Sequence, residues 1–239
     1  MTLILRSAIL NDVGLVRTNN EDSALAGERL VSVADGMGGL PAGEVASEIV
    51  IRILDELIPP ETPDEAENAL RAVVQTANQR IRAAIEADPA REGMGTTLTA
   101  ALLAGDVLVV AQVGDSRCYL LREGALHQLT KDDTFVQALV DQGALTPAAA
   151  RQHPQRALVT RAVQGVDAPP SVARYTVLPG DRLLLCSDGL SDYVDDGTVA
   201  NTVFTYGDRQ QCAEQLVKLA HQAGAPDNVT VVVSDVTEV

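Results

Sequence analysis

Tryptophan is absent from this 239-residue chain, and aromatic residues of every kind make up only 3% of it. So few rings build no stacking platform for unpaired bases. Positive charge is scarce too: 18 Lys and Arg stand against 33 Asp and Glu, a formal net charge of −15. Duplex nucleic acid and anionic membranes would repel such a chain, so neither is expected as a partner. Cys118, Cys186 and Cys212 are odd in number and far apart. They read as reduced thiols of a cytoplasmic protein and exclude a disulfide framework or a zinc site. His127, His153 and His221 are equally scattered and read as surface residues. Apolar runs such as Val107–Val113 are far too short to span a membrane, and Met1–Leu10 lacks the long apolar stretch of a secretory signal.

What the chain does have is core material, with 46% apolar residues. That excludes a disordered acidic tail. No repeat, low-complexity stretch or Gly/Ser-rich linker divides it, so residues 1–239 read as a single domain at the top of the usual size range. The first clear strand is Leu30–Ala34, ending in Asp35-Gly36-Met37-Gly38-Gly39. A helix follows with Ala46, Ile49, Val50, Ile53, Leu54 and Leu57 on one face, stopped by Pro59-Pro60. A second helix starts near Pro63 and stops near Pro89. Thr96–Ala104, Val107–Val113, Arg117–Arg122 and Leu126–Leu129 are apolar runs with short Gly-containing connections, which predict an antiparallel meander. Residues 131–168 are polar and Ala-rich, a surface excursion. Strands resume at Val172–Leu178, Arg182–Cys186 and Val229–Val233, with a helix over about Arg209–His221. Hairpin strands with helices in separate pairs predict an α+β fold, not a repeated βαβ one.

Aspartates beside these runs carry the chemistry. Asp106 and Asp181 precede a run and Asp208 precedes a helix, the ordinary places of turn and cap residues. Asp35, Asp115 and Asp188 each follow a run, and Asp227 begins one. In an antiparallel sheet one strand starts at the edge where its neighbour ends, so these four could meet at one rim. Two like charges 4 Å apart repel by roughly 4 kcal/mol at an effective dielectric of 20. Several carboxylates without lysines beside them therefore call for a cation, and oxygen donors alone select Mg²⁺, Mn²⁺ or Ca²⁺ over zinc. Upstream, Arg17 in Arg17-Thr18-Asn19-Asn20-Glu21-Asp22 offers a planar fork suited to phosphoryl oxygens.

Six segments then occur in one order: Arg17-x-x-Asn20-Glu21-Asp22, Asp35-Gly36-Met37-Gly38-Gly39, Gly95-Thr96-Thr97, Val113-Gly114-Asp115-Ser116-Arg117, Ser187-Asp188-Gly189 and Asp227-Asn228-Val229-Thr230. Together they resemble the metal-dependent Ser/Thr protein phosphatases of type 2C in their bacterial form, over roughly residues 7–237. The resemblance implies a four-layer αββα architecture, a central antiparallel β-sandwich flanked by helix pairs, with residues 131–168 as a flap beside the active site. It implies two catalytic Mn²⁺ or Mg²⁺ ions and a third. Asp35 would bridge two ions, the Gly36 carbonyl would bind one of them, and Asp188 and Asp227 would complete the first site. Glu21 and Asp22 would reach the ions directly or through water, and Asp115 with Asp188 matches the third site. Arg17 would bind the substrate phosphate, so Arg17, Asp35 and Asp188 are the residues expected to carry catalysis, with Gly95-Thr96-Thr97 and Ser187 in structural roles. Two ions roughly 3.5–4 Å apart lower the pKa of a bridging water, whose hydroxide attacks phosphorus in line without a covalent enzyme intermediate.

The implied substrates are phosphoserine and phosphothreonine in phosphoproteins, with a Ser/Thr kinase as a natural partner and a monomer as the family's habit. No fused sensor, anchor or regulatory domain is read, so control is expected from metals, partners or expression. Met37 stands where animal members usually have a His, the general acid for the leaving group, so here that proton must come from water or a metal-bound water. The flap likewise reads Lys131-Asp132-Asp133 where many relatives carry a His. Other readings weigh less. Gly36-x-Gly38-x-x-x-x-Gly43, with Asp55 or Glu56 about 20 residues on, imitates a dinucleotide loop, but the spacing is wrong and no βαβ succession follows. The Asp192–Gly197 cluster imitates a calcium loop, yet Val194 and Val203 occupy ligand positions, so it reads as a solvated turn. Arg151, Arg156 and Arg161 of the flap either meet phosphopeptides or form a solvated face. From another class, a catalytically inactive binding module would have lost a bridging carboxylate, and all are present.

Overall fold

The computed structural model describes residues 2–38 and 42–239; Gly39, the end of the Asp35–Gly39 segment, lies outside them. One antiparallel sheet runs in the order β1 (Leu3–Asp12), β12 (Val229–Glu238), β11 (Arg182–Cys186), β8 (Arg117–Arg122) and β9 (Ala125–Gln128). The other runs β10 (Ser171–Thr176), β7 (Val107–Val113), β6 (Leu98–Ala104), β3 (Leu30–Ala34) and β2 (Ser23–Ala26). A two-residue ladder joins β4 (Gly36–Met37) to β5 (Gly95–Thr96).

The apolar runs show little alternation because both faces of their strands are covered. In β6, Leu98, Ala100, Leu102 and Ala104 face α1 (Ala42–Asp55) and α2 (Pro63–Ala87), while Ala101 and Leu103 face the other sheet. In β12, Val229, Val231 and Val233 pack under α7 (Arg209–Gln222), and Val232 and Val236 point between the sheets. Three apolar layers thus separate four layers of structure, αββα, as the strand period of two dictates. The Thr62–Glu65 capping box and Pro63 fix where α2 begins. Among the described residues no helix is long and apolar enough to cross a membrane.

Three expectations need correction. Strands 96–129 do not form one meander: β7 belongs to one sheet and β8 to the other, and the chain changes sheets at Gly114–Ser116. Gly114 makes the turn at a φ of +101°, where a side chain would also strike Thr97. Second, two strands, β1 and β2, precede Leu30–Ala34; their burial is partial, and polar residues such as Ser7, Asn11 and Asp12 interrupt the apolar pattern. Third, Asp192–Gly197 is no free turn. Asp195 caps α6 (Asp196–Thr205) by accepting from the Thr198 amide, and Val199 and Val203 are buried. The excursion over 131–168 holds two short helices, α3 (Phe135–Asp141) and α4 (Pro147–Arg151), and returns to the body through the Thr96–Val163 bridge.

Candidate metal centre

The sheet switch at Gly114 explains why the aspartates converge. Asp35 leaves β3, Asp115 sits where β7 hands over to β8, Asp188 leaves β11 at the start of α5 (Asp188–Ser191), and Asp227 precedes β12. All four meet with Arg17 and Glu21 around one cleft of about 440 Å³. Five carboxylates and one guanidinium line it. Asp22 lies behind, buried.

Short polar residues hold this rim in place. The Thr97 Oγ1 accepts from the Asp35 amide at 2.9 Å and contacts the Ser116 Oγ at 2.8 Å, tying Asp35 to the neighbour of Asp115. The Thr96 hydroxyl and the Thr97 amide both donate to the Asp35 carbonyl. The Ser187 Oγ accepts from the Thr230 amide at 3.0 Å and donates to the Asp22 Oδ2 at 2.7 Å. Ser187 is fully buried with its hydroxyl committed in both directions, so it positions Asp22 and is no nucleophile. Gly36 is forced by space: a Cβ would lie 2.3 Å from the Gly43 carbonyl oxygen and 2.5 Å from that of Glu21.

The electrostatics are those of crowded anions. Burial, then the charges of Asp22, Asp188, Asp115 and Asp227, raise the Asp35 carboxyl well above the ordinary range. Asp188 is raised in the same direction, by burial and then by Asp115 and Asp192. Burial, then Asp132 and Asp192, push Asp115 up to about 7. Asp22 is pushed up to about 6 by burial, against the stabilising hydrogen bond from Ser187. Its Oδ1 is buried with no hydrogen-bond partner. Among the described residues no three acidic, His or Cys side chains are already drawn into a closed cage. The donors nevertheless suit a hard divalent cation: they are oxygens only, no lysine lines the cleft, and one buried carboxylate oxygen is left without a partner. Arg17 folds over the rim, its Nη2 donating to the Asp227 Oδ2 at 2.8 Å.

Two residues of this region escaped the sequence reading. Asn228 is buried; its Oδ1 accepts from the Glu21 amide at 2.9 Å, and its Nδ2 donates to the carbonyls of Val13 and Asn19. It therefore fixes the loop that carries Arg17 and Glu21. Asn228→Ala is expected to lower stability by about 2–3 kcal/mol, since the buried Glu21 amide and two half-buried carbonyls lose their partner, and to lower activity with it. Equal denaturant midpoints for mutant and wild type would remove this role. Asp192 follows Asp188 by one helical turn, a spacing that could have revealed it, and its half-buried carboxyl is raised first by burial. Asp192 shares with Asp115 an adjoining cavity of about 210 Å³ under the flap.

The flap arginines remain about one-third exposed, as a solvated face would be, and each also has a partner within the chain. Arg151 donates to the carbonyls of Ser191 and Val194 and pairs with Asp196. Arg156 pairs with Asp192 and lies over the Tyr193 ring, and Arg161 pairs with Asp133. His127 is exposed as expected, and half-buried His153 stacks obliquely on Phe135. His221 contacts the Asp12 Oδ1 through Nε2 at 2.8 Å, remote in role from the cleft. Cys118, Cys186 and Cys212 are buried and free.

Comparison with known proteins agrees with this geometry. The family model described as Protein phosphatase 2C matches residues 17–223. The serine/threonine protein phosphatase PstP of Mycobacterium tuberculosis is 51% identical over 238 residues, covering 100% of this chain and 46% of that protein. This chain thus spans about half the length of that curated relative. The serine/threonine phosphatase stp of Listeria welshimeri is 37% identical over 231 residues, 92% of this chain and 91% of its own. A crystal structure of the catalytic domain of PstP in complex with two manganese ions superposes with a TM-score of 0.92 at 50% identity, covering 99% of this chain and 100% of that one. Fold, carboxylate rim and relatives converge, and the chain belongs to the protein phosphatase 2C family.

Proposed function

We propose that this chain is a metal-dependent protein serine/threonine phosphatase, residues 1–239 forming one catalytic domain that removes phosphate from phosphoserine and phosphothreonine of proteins. The observation that carries the reading is a cleft in which five carboxylates face a single guanidinium. The named phosphatases at 51% and 37% identity support it. So does the PstP catalytic domain crystallised with two manganese ions.

In this reading Asp35, the Gly36 carbonyl, Asp188 and Asp227 would hold the two Mn²⁺ or Mg²⁺ ions, Asp35 serving both. Glu21 and Asp22 would reach them directly or through water, and Asp115 with Asp188 would hold a third ion. Bound in pairs, such ions supply a water acidic enough to attack phosphorus at neutral pH and positive charge for the phosphate. The protein's part is to orient. Thr96 and Thr97 set the Asp35 backbone, Ser187 aims the Asp22 carboxylate, and Asn228 seats the Arg17 loop. Arg17 leaves Asp227 to receive two phosphate oxygens on its fork, a charge-assisted pair that orients the ester for in-line attack. Met37 lines the cleft as a thioether without an acidic proton, so the leaving alkoxide takes its proton from water.

The reading is tested by hydrolysis of p-nitrophenyl phosphate with Mn²⁺, with EDTA, and after Arg17→Ala. Turnover should require Mn²⁺ and vanish in EDTA. Arg17→Ala should raise KM for a phosphothreonine peptide by roughly ten-fold or more, the loss of a charge-assisted bidentate contact. No turnover with any divalent ion would instead favour the inactive binding module. A monomer acting against one Ser/Thr kinase completes the proposal.

A further inference from the structure

Among the described residues nine large apolar side chains are exposed; Leu158 lines the acidic cleft, and Val13, Leu15 and Val16 lie on the segment that leads into Arg17, which also lines it. Isolated exposed apolar residues are ordinary, but a concentration on the lips of a polar site is not. Leu15 and Val16, 61% and 67% exposed, immediately precede Arg17. Leu158, 48% exposed, lines the cleft from the flap, beside Ala157 and Val159.

Both lips are rigid in backbone and free in side chain. The Leu15 amide donates to the Ala225 carbonyl at 2.9 Å, the Val13 carbonyl accepts from Asn228, and the Gly14 amide donates to the Asp12 carboxylate. Gly14 lies so close to Asp227 that a Cβ would stand 2.1 Å from its carbonyl oxygen. On the flap the Leu158 carbonyl accepts from the Phe135 amide at 2.9 Å, and Val159 bridges to Thr134. Backbone hydrogen bonds thus hold apolar side chains out in water, a pre-organised contact surface.

We infer that these lips select phosphoprotein segments carrying aliphatic or aromatic residues on the two sides of the phosphorylated residue. The inference rests on the phosphatase reading above and names its substrate class. An extended segment advances about 3.3 Å per residue, so residues two or three positions from the phosphorylated one reach the lips while the phosphate meets Arg17. Acidic flanks gain nothing here: Arg17, the one cationic residue lining the cleft, is engaged by the phosphate, and a Glu or Asp side chain would lose water against the apolar lips.

Three phosphothreonine peptides test this, identical except for Leu, Gly or Glu at the positions two before and two after the phosphothreonine. p-Nitrophenyl phosphate, which has no flanks, is the reference substrate. The wild type should favour the Leu peptide over the Gly peptide by on the order of ten-fold in kcat/KM, the worth of one apolar side chain partly buried at each lip, with the Glu peptide poorest. The double variant Leu15→Ser/Val16→Ser should erase most of that preference while its turnover of p-nitrophenyl phosphate stays within about two-fold, as surface substitutions rarely disturb the fold. Leu158→Ser should lower the Leu-to-Gly ratio from the other lip. Equal kcat/KM for the Leu and Gly peptides overturns the inference while leaving the phosphatase reading intact. Parallel losses on all peptides in the lip variants overturn it too. Absence of p-nitrophenyl phosphate turnover in the wild type overturns the phosphatase reading and the inference together.

Discussion

Asp35→Asn should reduce Mn²⁺-dependent turnover of p-nitrophenyl phosphate by at least about 1,000-fold if Asp35 holds the ions as proposed, because a group that both fixes and neutralises them serves the transition state directly. The substitution keeps the shape of the side chain and removes its charge. The backbone of Asp35 is held by Thr96 and Thr97, so the amide would occupy the same place. The loss is therefore chemical and not a consequence of misfolding. Thr97→Val is the companion variant. It removes the hydroxyl that accepts from the Asp35 amide and touches Ser116, leaves the carboxylate in place, and should cost activity far less. Saturating Mn²⁺ should not rescue Asp35→Asn. Activity within ten-fold of wild type at high Mn²⁺ would move the shared role away from Asp35.

The same residues show how far the sequence could be read. β3, β6, β7, β8 and β11 were legible because doubly covered strands are continuous apolar runs bounded by Gly-Asp and Asp-Gly turns. β1 was not, since its paired polar residues, Arg6-Ser7 and Asn11-Asp12, break both the continuous and the alternating apolar pattern, as an edge position allows. The convergence of Asp35, Asp115, Asp188 and Asp227 was legible from their positions at strand ends. The reason for it was not: a meander would keep β7 and β8 in one sheet, whereas the switch at Gly114 puts Asp115 between the two sheets. α6 was hidden behind Asp195-Asp196-Gly197, which reads as a turn locally and becomes a cap only when Val199 and Val203 find a core to enter. Asn228 and Asp192 escaped because a side chain that bonds loop backbones, or completes a charge cluster, declares itself only through tertiary neighbours. The partners of the flap arginines were hidden for the same reason: Asp192 and Asp196 pair with Arg156 and Arg151 from a segment some 40 residues away in sequence.

In EDTA the protein should melt at progressively lower temperature as pH is raised from about 5 to about 8, contrary to the usual behaviour of proteins stabilised by ionised carboxylates. Asp115 and Asp22 keep their protons in the folded chain up to about 7 and about 6, against an ordinary carboxylate value of 3.8. Between those limits the folded state binds more protons than the unfolded one, so stability falls as pH rises. The contribution is complete below the ordinary carboxylate value and is lost as pH passes through 6 and then 7. Asp35 and Asp188, raised in the same direction by burial and by their neighbours, add to the slope. A loss of a few kcal/mol in a chain of this size moves Tm by on the order of 10 °C. Saturating Mn²⁺ should flatten the profile, because cation binding takes the deprotonated carboxylates that the bare fold resists, and its stabilising shift should therefore grow with pH. Asp35→Asn and Asp115→Asn supply the decisive comparison. In EDTA at about pH 8 each should melt higher than the wild type, having lost a buried like charge. Each should also respond less to Mn²⁺. A lower Tm for both variants would mean that these carboxylates hold the fold through bonds of their own. A higher Tm joined to lost activity would show that the rim is kept unstable for the sake of the cations it receives.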